Sequence, residues 1–378
     1  MFDFVFWLLS YLLPFLAVLT AIVFVHEMGH YLVARWNGVA IQAFSVGFGR
    51  ELIGWTDKHG TRWKISAIPL GGYVRFVGDM NAASTPDADL ITKADPELAP
   101  RLFANKNVWQ RIAIVAAGPA ANVILTFLIL YALLLGYGRY TIPAVVGEVI
   151  VGSVAEAGGL EAGDTILSVD GFAVRGFEDF QRLVATSPER PVTILLDRDG
   201  IEQSLVIVPE AAETVDRFGN SQRIGRLGVS RDVSEQDVQL FRPGPVEAIG
   251  MTVEEIRFII ERTAAFLGDF FVGRGDVEQL GGPVKVARVS GEVATLGVVA
   301  LINLTALLSL NIGIFNLLPV PMLDGGHLLY YLVEAVRGRP LSQRIQEIGF
   351  RFGFALVLAL TIFTFFNDTL FAYFGILR

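Results

Sequence analysis

No cysteine occurs among the 378 residues, so the chain offers neither a disulfide nor a thiolate ligand for a metal. Charge is scarce as well. Hydrophobic residues make up 53% and charged residues only 18%, whereas a soluble chain of this size carries about a quarter. An ordinary soluble globule is therefore excluded. Histidine is rarer still, with four in the whole chain, which leaves few candidates for any imidazole chemistry. The N-terminal MFDFVF has no basic n-region and no A-x-A site follows it, so the first apolar run is expected to be a retained span. The net charge is −8, and no nucleic-acid partner is expected. The acidic excess sits between 139 and 295, where 25 acidic residues stand against 15 basic ones, and it is read as a solvated surface.

Apolar runs long enough to span are what the chain does have. Crossing about 30 Å of hydrocarbon takes roughly 20 helical residues. The expected division is a first transmembrane helix within 1 to 34, a loop from 35 to 111, a second helix from 112 to 137, a third from 296 to 322 and a fourth from 352 to 374. The stretch from 139 to 295 is too charged to be embedded and is expected to lie outside the bilayer. Ten Lys and Arg fall in the 35 to 111 loop and four between the third and fourth runs, while none precedes the first run. Short cytoplasmic loops carry that excess, so both termini and the polar stretch are expected on the opposite side.

Within the polar stretch, residues 144 to 232 read as short strands, Gly-rich turns and a helix at FEDFQRLVAT, with a last strand in GRLGVS at 225 to 230. This is a PDZ-like pattern, in a circularly permuted order. From 245 to 272, Ile249, Val253, Ile256, Ile260 and Leu267 recur at helical spacing, an amphipathic helix that lies either on the membrane interface or under the PDZ-like module. The cytoplasmic loop holds β-prone pieces, IQAFSVGFG, RWKISAIPL and GYVRFVG, which are unusually apolar for a segment facing water.

The chemistry concentrates in HEMGH at 26 to 30. Helical spacing puts His26 and His30 on one face, where both reach one zinc ion, with Glu27 beside them. Ionisable groups at membrane depth are costly and mark function, and these interrupt an otherwise apolar helix. The bland alternative is a helix end whose polar residues snorkel to the interface. A catalytic zinc takes three protein ligands and keeps one open position, so a third ligand must come from elsewhere. His59 lies in a polar loop and His327 follows a Gly-Gly pair. Asp324 stands out in NLLPVPMLDGGH, where Pro319 and Pro321 interrupt the third helix; its plainer role would be a helix cap. Counted from the outer ends of their spans, His26 and Asp324 both fall toward the cytoplasmic side, so one ion between them is geometrically feasible.

These motifs resemble the site-two protease family of intramembrane zinc metalloproteases, and within it the regulator-of-sigma-E protease branch. The resemblance rests on HEMGH, ISAIPLGGYVRFVGD at 65 to 79, GPAAN at 118 to 122, the PDZ-like region and NLLPVPMLDGGH at 316 to 327. It implies an α-helical polytopic membrane fold with about four transmembrane helices, a membrane-associated β hairpin and an extracytoplasmic PDZ-like domain. It also implies zinc held by His26, His30 and Asp324, Glu27 as the catalytic carboxylate and Asn316 as an active-site polar residue. Substrates would be single-span membrane proteins within the bilayer, of the anti-sigma-factor type. The location would be the bacterial inner membrane, with both termini and the PDZ-like domain on the periplasmic side. One PDZ-like module appears where enterobacterial members carry two, so its work, size exclusion or capture of a C-terminal peptide, stays open. The rival readings are a metal-binding receptor or a transporter without proteolysis, neither of which needs Glu27 directly after His26.

Overall fold

The computed structural model describes residues 2–79, 95–215, 221–231, 237–272 and 281–375. In chain order its helices are α1 (Phe2–Trp36), α2 (Val108–Tyr137), α3 (Val154–Ala157), α4 (Phe177–Ala185), α5 (Pro245–Phe271), α6 (Pro283–Thr295), α7 (Val298–Asn316), α8 (Asp324–Arg337) and α9 (Gln343–Gly375). Two units emerge, one of Met1–Leu130 with Asp276–Arg378, the other of Tyr131–Gly275.

In the first unit four helices are long and apolar enough to cross a membrane, with spans Leu9–Trp36, Val108–Tyr137, Val298–Asn316 and Arg344–Asp368. Lipid is as apolar as leucine, so such helices associate through close packing and interhelical hydrogen bonds. Both occur here. A Cβ on Gly29 of α1 would lie 2.2 Å from the Ala117 carbonyl of α2, so these backbones meet where only glycine fits. Thr126 Oγ1 of α2 donates to the Ala306 carbonyl at 2.9 Å, and Ser309 Oγ of α7 donates to the Asn122 carbonyl at 3.1 Å.

One expected boundary changes. The third span, expected to reach 322, ends at Asn316, because Pro319 and Pro321 cannot continue the hydrogen-bond ladder. The last part of the polar stretch forms α6, which belongs to the first unit and packs along α1. Its Ser290 and Gly291 are buried, and a Cβ on Gly291 would lie 2.3 Å from Tyr11. Asp368 of α9 caps α6 by accepting the Gly282 and Lys285 N–H groups at 3.1 and 2.9 Å. A face of small residues thus packs between helices despite a polar composition.

The loop after α1 forms two long strands, β1 (Ile41–Thr56) and β2 (Arg62–Phe76). Their register folds back on itself: residues 43 to 46 pair with 72 to 75 and also lie beside 62 to 65, while 51 to 56 pair with 62 to 66. Positive φ at Gly47 and Gly71 permits the bends. Phe44, Val74 and Phe76 pack with Tyr31 of α1 and Ile114 of α2 in one buried cluster. Leu52, Ile53, Trp55, Ile68 and Leu70 instead face outward, at 50–64% exposure. Apolar residues therefore cover both faces.

The second unit is built on a four-stranded antiparallel sheet of β5 (Thr165–Val169), β6 (Phe172–Ala173), β7 (Val192–Arg198) and β8 (Ile201–Ile207), in the order β6-β5-β7-β8. It is preceded by β3 (Arg139–Thr141) and β4 (Glu148–Val149) and followed by the hairpin β9 (Glu210–Val215) with β10 (Ser221–Arg226), then β11 (Val229–Ser230) and β12 (Gln239–Phe241). β4 pairs with β11 and β3 with β12, so early and late strands close the unit. Its core joins Ile166, Ile194 and Leu196 of the sheet to Phe180 and Leu183 of α4.

α5 packs on this core, but through only part of the stripe expected from the sequence. Ala248, Met251, Ile256 and Phe258 are buried, whereas Ile249, Val253 and Ile260 are exposed. Arg175–Glu254, Arg182–Glu255 and Arg190–Asp269 ion pairs flank the contact, and the Arg182 guanidinium lies 4.4 Å over the Phe258 ring. Arginine stems cover apolar surface while their charged ends stay wet, so charged residues complete the cover over this face.

Candidate metal centre

HEMGH occupies the C-terminal half of α1, and its four-residue spacing brings the His26 and His30 rings to the same side, with Nε2 atoms 3.2 Å apart. The third corner comes from the helix break. After α7 ends at Asn316 the chain turns through 317 to 323, Met322 adopts φ 115°, and α8 restarts at Asp324. A Cβ at Gly325 would lie 2.3 Å from the Leu317 carbonyl, and one at Gly326 would lie 2.4 Å from that of Val320. The two glycines let the first turn of α8 sit directly on the break, which points Asp324 at α1. A carboxylate in a first helical turn also meets the favourable end of the helix dipole.

Asp324 Oδ2 lies 3.1 Å from His26 Nε2 and 3.5 Å from His30 Nε2. Although this oxygen is buried, it has no partner placed with hydrogen-bond geometry. Its close approaches to the imidazoles are thus convergences on a point rather than N–H···O bonds. Zinc bonded at about 2.0–2.1 Å to corners of a tetrahedron separates those corners by about 3.3–3.4 Å. The observed triangle of 3.2, 3.1 and 3.5 Å has that size, so the three residues fit zinc. Among the described residues they form the one metal-capable group of His, Cys, Asp and Glu.

α2 backs the two imidazoles. His30 Nδ1 lies 2.9 Å from the Ile114 carbonyl, and His26 Nδ1 lies 3.3 Å from the Asn122 amide nitrogen. Between them, a Cβ on Gly118 would fall 2.2 Å from His30 Nε2 and 2.9 Å from His26 Cε1. Residues 114, 118 and 122 share one helix face at four-residue spacing. At the N-terminal end of this face, Arg111 pairs with Glu334 of α8 at 2.5 Å and lies over the Tyr331 ring, tying α2 to the helix that carries Asp324.

Glu27 is tied to the hairpin beside the triangle. Its Oε2 accepts the Val74 N–H at 2.9 Å, and its Cγ would lie 3.5 Å from a Cβ on Gly72. β2 therefore orients the carboxylate next to the metal corner. Asn316 is the last residue of α7 and half-buried; among the described residues no hydrogen bond joins it to the triad. His327 lies in the first turn of α8 with its ring 6.4 Å from that of Tyr330, and His59 lies at the hairpin turn, its N–H bonded to Asp57. Neither belongs to the triad. Gly118 and Asn122 were visible beforehand only as letters of GPAAN; the Gly-x-x-x-Asn spacing beside a helix-borne metal motif was the signal available.

A metal triad shared between a membrane-crossing helix and a second helix, with a carboxylate directly after the first ligand, defines a membrane metalloprotease. The chain belongs to peptidase family M50, the site-two proteases, whose model matches residues 14–360. It is similar to a protein of Rhizobium meliloti provisionally named a zinc metalloprotease, with 47% identity over 361 residues covering 95% of this chain and 96% of that one. A Mesorhizobium japonicum protein of the same provisional name is 48% identical over 361 residues, covering 95% and 98%. Metalloprotease MmpA of Caulobacter vibrioides is 39% identical over 380 residues, covering 94% of each chain. The chain is a metalloprotease, and its cofactor is zinc.

Proposed function

We propose that this protease cuts single-span membrane proteins within their transmembrane segments, using zinc held by His26, His30 and Asp324. The observation that carries the reading is the position of the triad: His26 and His30 lie inside the span Leu9–Trp36, with Asp324 brought against them. When bound, zinc supplies Lewis acidity, lowering the pKa of a water toward about 7 and polarising a carbonyl. Glu27 takes the proton. Its Oε2 is held by Val74 N–H, which leaves Oε1 to accept from the water and to return the proton to the departing amine. Asn316 donates from its amide to the oxyanion that develops on the scissile carbonyl.

A transmembrane helix satisfies its own carbonyls, so a substrate must unwind locally before it is cut. The hairpin suits an unwound strand, since β2 already touches Glu27 and an extended peptide adds readily to a sheet edge. The outward apolar residues of β1 and β2 favour a hairpin seated in the bilayer. The 144 to 232 module is read as PDZ-like and periplasmic, in an inner-membrane protein of the regulator-of-sigma-E protease branch. There it excludes substrates with bulky outer domains, in preference to capturing a C-terminal peptide. The substrate class is the anti-sigma-factor type, already trimmed on the outer side.

The test is to incubate purified wild type and Glu27→Gln with a tagged single-span substrate and to locate the cut by mass spectrometry. Wild type should cut inside the span, and the variant should lose at least about a hundredfold in rate, the usual weight of a general base. A variant that cuts at the wild-type rate, or a cut confined to residues outside the span, would refute the proposal.

A further inference from the structure

We propose that Asn122 is a positioning residue of the metal centre, its amide oxygen accepting the Nδ1–H of His26 and so holding that imidazole with Nε2 toward zinc. The inference rests on the assignment of His26 as a ligand.

Asn122 is fully buried on α2, and its amide nitrogen lies 3.3 Å from His26 Nδ1. Its amide oxygen is also buried and has no hydrogen-bond partner. When His26 Nε2 holds a metal, the ring's proton sits on Nδ1, which becomes a donor. An amide N–H₂ opposite that donor is repelled, whereas the amide oxygen accepts from it. A half-turn of the amide exchanges the two atoms without moving the rest of the residue. Metal binding at Nε2 thus selects the orientation that puts the unpartnered oxygen against Nδ1.

The backbone around Asn122 is fixed for the task. Its carbonyl accepts from Ser309 Oγ at 3.1 Å, so the residue, carried on α2, is held from α7 as well. The second ligand is served from the same face of α2, where the Ile114 carbonyl receives His30 Nδ1–H at 2.9 Å. One helix thereby sets the tautomer of both histidines. Ile114 does so through a backbone atom that no substitution removes, which leaves Asn122 as the side chain through which the sequence acts.

Zinc affinity, read by chelator competition on the detergent-purified full chain, tests this without reference to cleavage. Outer partners of metal-bound histidines contribute about 10–100-fold in affinity. Asn122→Ala and the similarly sized Asn122→Leu should both weaken zinc binding by about that factor. Asn122→Asp should bind close to wild type, since a carboxylate accepts the same proton. A residue that merely fills space would give the opposite order, with Leu close to wild type and Asp weak, and that result would overturn the proposal, as would unchanged affinity in all three. His26→Ala is run beside them. If it keeps full zinc affinity the ligand assignment itself is wrong; if it loses zinc while the Asn122 variants do not, only the role of Asn122 fails.

Discussion

Gly118 of α2 stands so close to His30 of α1 that a Cβ on it would lie 2.2 Å from the imidazole nitrogen Nε2. The metal triangle exists because one helix presents no side chain at the point where the other presents two. Gly118→Ala should therefore push the imidazoles out of register, cost about 1–3 kcal/mol in overpacking, and abolish zinc retention along with proteolysis. Zinc analysis of the purified variant, with circular dichroism to confirm retained helix content, checks it. Wild-type zinc content in Gly118→Ala would show that the helices separate without disturbing the site.

The second unit gives a pH-dependent prediction. Burial works to raise the Asp164 carboxyl, but Arg198 and the Glu161 N–H outweigh it and hold the group below the usual aspartate value. Arg198 Nε and Nη2 each donate at 2.7 Å, one to each carboxylate oxygen. A pKa depressed by folding contributes stability that is complete above the unfolded value of about 3.9 and fades as pH falls through the folded one. At neutral pH, Asp164→Asn should lower the unfolding midpoint of residues 131 to 275 by about 3 °C or more. Hydrogen exchange across that unit at several temperatures measures it. The gap to wild type should close in acid, and a gap that persists there would rule out the ionised pair as its source.

Several parts of this structure were legible in the letters, for physical reasons that the misses help to define. His26 and His30 were readable because a helix alone puts i and i+4 on one side, whatever the rest of the fold does. Asp324 was readable because two prolines and two glycines mark a break beside a carboxylate at the end of an apolar span. Gly118 and Asn122 were not, since their roles depend on which helix packs behind α1, a tertiary fact. The packing of α6 on α1 was hidden because its charged residues set its composition while its buried Ser290 and Gly291 set its packing. In α5 the regular Ile249–Val253–Ile260 stripe drew attention away from Phe258, whose burial is completed by arginine stems that no apolar count records. The folded-back register of β1 and β2 was hidden for a similar reason: it turns on φ at Gly47 and Gly71, and glycine alone does not say which bend it takes.

The joining of α1 and α8 through one zinc ion is tested most directly by the metal content of Asp324→Ala. Only a side chain at the first turn of α8 is removed, and Gly325, Gly326 and the Arg111–Glu334 pair that hold this helix in place remain. Elemental analysis should find about one zinc per chain in the purified wild type and a small fraction of that in Asp324→Ala, with helix content unchanged. Equal zinc in the two proteins would contradict a third ligand at Asp324.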